Sequence, residues 1–170
     1  MADLSNLVIH RPLVDCQSLA QLNAHRSVVF WFTGLSVSGK SILANSVDFC
    51  LHQLGLKTFV LDGDNVRDGF CSDLGFSDES RSKNIRRVGH VSRLFGEAGM
   101  VSLCAFISPF GADRSKARAM FPKRDFYEIY CKSSLAACDA RDLKGLYKRA
   151  REGAVKNFTG ILALRYTGGA

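Results

Sequence analysis

The chain has 170 residues, 46% of them apolar, and its 23 lysines and arginines outnumber 16 aspartates and glutamates for a formal net charge of +7. That length and apolar content predict one domain over residues 1–170 that buries about 70% of the surface of its unfolded form, while no apolar run approaches the ~20 residues that cross a bilayer. Six cysteines without a C-x-x-C pair read as reduced thiols rather than a metal site or a disulfide framework, and residues 1–14, with Asp3, His10 and Arg11, lack the apolar stretch of a signal peptide, so a cytoplasmic, membrane-free protein is expected.

Residues 1–25 form an N-terminal extension ahead of a first strand at Val28–Thr33. Directly after it comes Gly34-Leu35-Ser36-Val37-Ser38-Gly39-Lys40-Ser41, which has the spacing of a Walker A phosphate loop. A glycine-punctuated turn between strand and helix lets backbone N–H groups converge at the positive end of the helix dipole. Gly34, Ser36, Ser38, Gly39 and Ile42 therefore line a cradle for ATP. Lys40 would sit on the β and γ phosphates, and Ser41 would be a ligand for Mg2+. The helix Lys40–Leu54 carries Leu43, Val47, Cys50, Leu51 and Leu54 at helical spacing, which predicts one buried face.

A second strand, Thr58–Asp62, ends in Asp62-Gly63-Asp64. A helix at Ser82–Ala98 follows, with Ile85, Val88, Val91, Leu94 and Phe95 as its buried stripe. Strand three, Val101–Ile107, runs into Ser108-Pro109. A helix at Arg114–Met120 and a strand at Phe126–Cys131 complete the alternation, and Pro12, Pro109 and Pro122 fall at segment edges, where a missing N–H does no harm. Strands and helices in turn predict an α/β fold, a P-loop NTPase-like parallel sheet with helices on both faces.

Ligands of such sheets bind beyond the carboxyl ends of the strands, and the polar motifs lie there. Asp62 is placed to take a proton from an acceptor hydroxyl or to hold a metal-bound water, or else it caps the turn with Gly63. Asp64 and Asn65 are equally local turn formers. Arg67, Arg81 and Asn84 would face an acceptor that is itself anionic. Basic residues cluster at 81–93 and again at 141–156. Without interleaved aromatics these clusters favour small polyanions over nucleic acid. His10, His25, His52 and His90 have no metal or triad spacing and belong to surface or packing. Phe158 would either cover a purine base or be buried in the core.

The segments Phe32-Thr33-Gly34-Leu35-Ser36, Leu61-Asp62-Gly63-Asp64-Asn65-Val66-Arg67, Ser72-Asp73-Leu74-Gly75-Phe76-Ser77, Asn84-Ile85-Arg86-Arg87-Val88-Gly89, Ala105-Phe106-Ile107-Ser108-Pro109, Lys144-Gly145-Leu146-Tyr147-Lys148 and Asn157-Phe158-Thr159-Gly160-Ile161 resemble, in order, the signatures of the adenylylsulfate kinase (APS kinase) family. The resemblance spans roughly residues 26–161. It implies phosphorylation of the 3′-hydroxyl of adenosine 5′-phosphosulfate by ATP with Mg2+, held by Ser41 and Asp62. It implies catalytic roles for Lys40, Asp62 and Ser108, the last matching a serine labelled a phosphoserine intermediate, although direct in-line transfer needs no such intermediate. Asp64, Arg67, Phe76, Arg81, Asn84, Ile107, Ser108, Lys144 and Phe158 would surround the acceptor. Residues 141–160 would be a mobile lid whose Arg141 and Arg149 reach the ATP phosphates. A homodimer is implied as well.

The chain departs from that family at Val37, where glycine is usual, so a positive φ there would strain a β-branched residue. Ile42 stands for threonine, Gly111 for arginine and Leu143 for proline. After Gly160-Ile161 the family pattern of a further strand and helix is not followed. Val37 and the short C-terminal end favour a nucleotide-binding or regulatory homologue without turnover. The intact Lys40, Ser41, Asp62, Arg67, Arg81 and Asn84 favour the enzyme. A kinase for a nucleoside monophosphate or small metabolite has only the fold in its support.

Overall fold

The structure, a computed structural model, describes residues 8, 10, 12–142, 144–154 and 158–161. Strands β1 (Val29–Thr33), β2 (Thr58–Asp62), β3 (Val101–Ala105) and β4 (Phe126–Tyr130) form one sheet in the order β2-β3-β1-β4. Every pairing is parallel, with Phe32 opposite Ala105 and Ile129, and Asp62 opposite Ala105. Parallel strands need crossovers. These are supplied by α2 (Lys40–Gln53) after β1, α3 (Gly63–Asp68) and α4 (Asp78–Glu97) after β2, and α5 (Gly111–Arg118) after β3.

Side chains alternate across the sheet because the strand period is two. Val29, Trp31, Cys104 and Phe126 point to one face and join Leu61, Ile85, Val88, Phe106 and Ala117 in a core closed by α4 and α5. Phe32, Leu103, Val101 and Ala105 point to the other face and meet Ala44 of α2. Since β3 and β1 are central, covered on both faces, their sequences are nearly continuous apolar runs.

The third strand ends at Ala105 rather than Ile107, because the chain turns at Phe106–Pro109 to leave the sheet. The stripe expected on α2 requires correction. Val47 and Leu51 pack beneath the sheet beside Ala44, but Leu43, Cys50 and Leu54 are exposed, since the contact with the sheet is narrower than the apolar arc. On α4, Ile85 and Val88 are buried and Val91 and Phe95 partly so, while Leu94 is 60% exposed.

Four helices were not expected from the sequence. Within the N-terminal extension α1 (Cys16–Asn23) starts at Asp15, whose carboxylate accepts from Ser18 N at 2.8 Å, and Asn23 donates to Gly99 O at the foot of β3. Asp62 caps α3 by accepting from Asp64 N at 2.9 Å. Short helices α6 (Leu135–Ala140) and α7 (Leu146–Arg151) lie in and beside the basic segment after β4. Each of these four has eight residues or fewer, too few for a periodic signal.

All six cysteines are free. His25 is a packing residue whose Nε2 accepts from Lys57 N.

Candidate functional site

The carboxyl ends of β1, β2 and β3 bring the phosphate loop, Asp62 and the Ile107–Pro109 turn to one edge of the sheet. Gly34 has φ +145°, and a Cβ there would stand 2.7 Å from Cys131 O and 3.0 Å from Ser38 Oγ, so only glycine lets the loop pass the end of β4. Gly39, at φ +91°, turns the chain into α2. Ser38 Oγ is buried without a hydrogen-bond partner. An orphaned hydroxyl just ahead of a helix N-terminus is the kind of feature that a phosphate would satisfy.

Lys40 is only 8% exposed and its ammonium donates to Leu35 O at 2.6 Å. Burial pulls its pKa down from 10.5 to about 8, against the opposing pull of Cys131, Cys138, Asp62 and Asp64. A cation held at that cost in solvation is poised for an anion. Ser41 Oγ donates to Asp62 Oδ2 at 2.5 Å. The first turn of α2 thereby touches the carboxylate at the end of β2. Of the two readings made of Asp62, the cap is what the structure displays, since its other oxygen accepts from Asp64 N at the start of α3.

Among the residues expected to face an acceptor, the Arg67 and Arg81 guanidiniums lie 4.6 and 5.8 Å from the Phe76 ring centroid. Arg67 donates to Leu74 O and Gly75 O, and Arg81 Nε to Phe76 O. Burial lowers both pKa values, and for Arg81 the neighbouring Arg67 lowers it further. Two like charges fixed near one half-exposed ring favour an anion there. Asn84 is buried and its Oδ1 has no partner. Arg87 holds Asp73 through two bonds of 2.6 and 2.8 Å, pinning the loop that carries Phe76.

Ile107 is half-buried, its carbonyl accepting from Thr33 Oγ1. Ser108 is 2% exposed, and its hydroxyl meets Trp31 Nε1 at 3.1 Å and Thr33 Oγ1 at 2.7 Å.

Within the segment expected as a lid, Lys144 pairs with Asp64 across the mouth of the cleft, which raises the lysine's pKa. Phe158 is 7% exposed and packs edge-on against Tyr147 at 4.9 Å, in a cluster with Cys138, Ala150, Leu35 and Val37. Of the two alternatives read for this ring, burial is what the structure displays. Arg141 and Arg149 are exposed on the outside of this segment. Ile42 is 76% exposed and lines a surface groove along α2 with Asn45, Ser46, Phe49 and Cys50. Leu143, Lys156 and Asn157 lie outside the described residues, as does the departure after Ile161.

Sequence reasoning missed Tyr147, whose hydroxyl donates to Ser36 O at 2.8 Å and ties α7 to the phosphate loop. Its signal was available, since it is the lone aromatic among the basic residues 141–156. Arg114, 1% exposed, drew no notice in the sequence because burial of a charge leaves no trace in spacing.

Val37 has φ +59°, the strained conformation expected for it, costing about 1–3 kcal/mol. Its side chain packs into the Tyr147–Phe158 cluster. Val37→Gly is therefore expected to exchange strain for lost packing. Tm should stay within a few degrees of the parent, while trypsin should cut faster at Lys148–Arg151. Limited proteolysis reads this directly, and an unchanged cleavage rate would detach Val37 from the packing of α7.

A profile of the family described as adenylylsulphate kinase matches residues 26–166. An adenylyl-sulfate kinase of Prochlorococcus marinus is 54% identical over 160 residues, covering 94% of this chain and 80% of that protein. Among solved structures, the Mycobacterium tuberculosis APS kinase CysC, in complex with AMPPNP and APS, is 43% identical with a TM-score of 0.81, over 85% of this chain and 84% of that one. A hexameric APS kinase from Thiobacillus denitrificans is 29% identical with a TM-score of 0.58, over 82% of this chain and 32% of that one.

Proposed function

The chain belongs to the adenylylsulphate kinase family, and from that premise we propose that it transfers the γ-phosphoryl group of ATP to the ribose 3′-hydroxyl of adenosine 5′-phosphosulfate. The products are ADP and 3′-phosphoadenosine 5′-phosphosulfate. The observation that carries this reading is the 2.5 Å contact of Ser41 with Asp62. It joins the phosphate-binding helix to a carboxylate on the side where Arg67 and Arg81 concentrate positive charge.

Phosphoryl transfer asks the protein for position and charge rather than covalent work. Gly34, Ser36, Ser38, Gly39 and Ile42 would supply backbone to the ATP phosphates, and Lys40 would neutralise charge on the group in flight. Asp62 would accept the proton of the 3′-hydroxyl as the new P–O bond forms. Ser41 and Asp62 are the adjacent oxygen donors that Mg2+ takes together with phosphate oxygens, and the ion would supply further charge neutralisation there. Arg67, Arg81 and Asn84 would hold the phosphosulfate, with Phe76 against the adenine and Ile107 and Ser108 bounding the pocket. Asp64 and Lys144 would open their pairing to admit the nucleotide, and Arg141 and Arg149 would approach ATP as the lid, including Phe158, closes and excludes water. A cytoplasmic homodimer completes the reading. Exposed Ile42 and Phe49 on α2 and Leu54 just after it are apolar surface of the kind that association covers, and a monomer in analytical ultracentrifugation would remove that part.

The test is a coupled assay of the purified protein with Mg-ATP and adenosine 5′-phosphosulfate, following ADP and the 3′-phosphorylated product together. Equal formation of both is expected. ATP binding by titration without product would instead identify a non-catalytic homologue.

Lys40 also sets a pH dependence. Phosphates favour its charged form, so above pH 8 ATP binding should take up a proton and weaken, by up to about tenfold per pH unit. The free protein behaves oppositely. Its Lys40 titrates at about 8 and the unfolded chain's at 10.5, so between these values the unfolded state holds more protons and this group makes stability rise with pH. Calorimetry of ATP binding at pH 8.5 in buffers of different ionisation enthalpy measures the proton uptake, and none would show that Lys40 is charged before ATP arrives.

A further inference from the structure

We propose that Asp113 and Arg114, at the start of α5, are positioning residues that set both walls of the acceptor pocket from one helix. The proposal rests on the reaction given above, and it concerns two buried residues outside the site described so far.

Arg114 is 1% exposed and uses its guanidinium in two directions. Nε donates to Glu128 Oε1 at 2.7 Å on β4, and Nη1 donates to Ser108 O at 2.8 Å and Pro109 O at 3.3 Å. Those carbonyls belong to the turn by which the chain leaves β3, between the β2 end that carries Asp62 and the β1 end that carries Gly34. The turn is held in an uncommon backbone state, with Ser108 at φ +35°. Such a conformation persists only where its surroundings over-determine it. Trp31 and Thr33 fix the serine hydroxyl from the sheet side, and Arg114 fixes its carbonyl from the helix side.

Asp113 does the same for the opposite wall. It is 7% exposed and its Oδ2 accepts from Ser82 Oγ at 2.6 Å. Ser82 follows Arg81 directly and lies two residues before Asn84, and Arg81 and Asn84 are the residues of α4 that would face the acceptor. Close packing supports the link: a Cβ at Gly89 of α4 would lie 3.1 Å from Met120 Sδ and 3.5 Å from Ala117 Cβ.

A role confined to folding does not account for this arrangement. A buried ion pair is often no more stabilising than well-packed apolar groups of the same volume. What Arg114 adds is geometry, a rigid fork that reaches a carboxylate and two carbonyls at once. Lysine preserves the charge and cannot make that fork.

Arg114→Lys is expected to raise the KM for adenosine 5′-phosphosulfate about tenfold or more, to leave the Kd for a non-hydrolysable ATP analogue within about twofold, and to keep the parent circular dichroism spectrum. Ser82→Ala, which removes only the Asp113 partner, should raise the same KM by a smaller factor, roughly threefold. Equal losses in ATP-analogue and acceptor binding would reduce the pair to a structural role and overturn the proposal. So would an unchanged acceptor KM in a folded Arg114→Lys protein. Should that variant not fold, Ser82→Ala and Glu128→Gln decide alone, and an unchanged acceptor KM in both is fatal to the idea. The parent protein is assayed alongside. Absence of product from the parent strikes the assigned reaction and this proposal with it, whereas an active parent with insensitive variants strikes the positioning role alone.

Discussion

Lys40→Ala is expected to lower kcat with ATP and adenosine 5′-phosphosulfate on the order of 10³-fold, the range lost when one fixed donor is removed from a developing charge in a dry site. The ammonium lies at the entrance of α2, where the helix dipole and loop amides already favour an anion. It is the mobile full charge among them. The same replacement should cost little stability. Burial already penalises the charged form enough to bring its pKa to about 8, so removing it relieves a desolvation cost and forfeits one bond to Leu35 O. A thermal melt near the parent's, together with lost turnover, separates chemistry from folding. Unchanged turnover would refute the phosphate-loop assignment.

Asp62→Asn is expected to reduce kcat by about 10²- to 10⁴-fold, the usual contribution of a positioned base, with a much smaller change in acceptor KM. The geometry makes the variant informative. Asparagine caps a helix about as well as aspartate, so the bond to Asp64 N and the start of α3 survive. The amide nitrogen cannot accept from Ser41, nor can the side chain take a proton from a hydroxyl. Steady-state kinetics with each substrate varied separates the two parameters, and a loss confined to KM would leave Asp62 as a binding residue only.

Physical patterning explains which parts of this protein could be read in advance. The strands were legible because a sheet covered on both faces needs apolar runs at Val29–Thr33 and Val101–Ala105. The phosphate loop was legible because its chemistry depends on backbone amides and a fixed order of glycines and one lysine, all within eight consecutive residues. Helix α2 was legible in extent and misjudged in its buried face. Its spacing specified an apolar arc and left open how much of that arc the sheet would cover, which is why Leu43, Cys50 and Leu54 stand exposed. Phe158 illustrates the same limit, since an aromatic beside a basic segment is compatible with stacking on a base or packing on Tyr147.

Local order along the chain therefore determined the α/β architecture, the family and the phosphate-binding segment, since each is written in neighbouring residues. Tertiary structure alone decided the contacts between distant ones: Ser41 on Asp62, the ring of Phe76 beside two arginines, Tyr147 on the phosphate loop, and the burial of Arg114 between Glu128 and the Ser108 turn. Those contacts depend on which strand ends adjoin and how deeply a charge is covered. Both are properties of packing that no periodicity or spacing encodes.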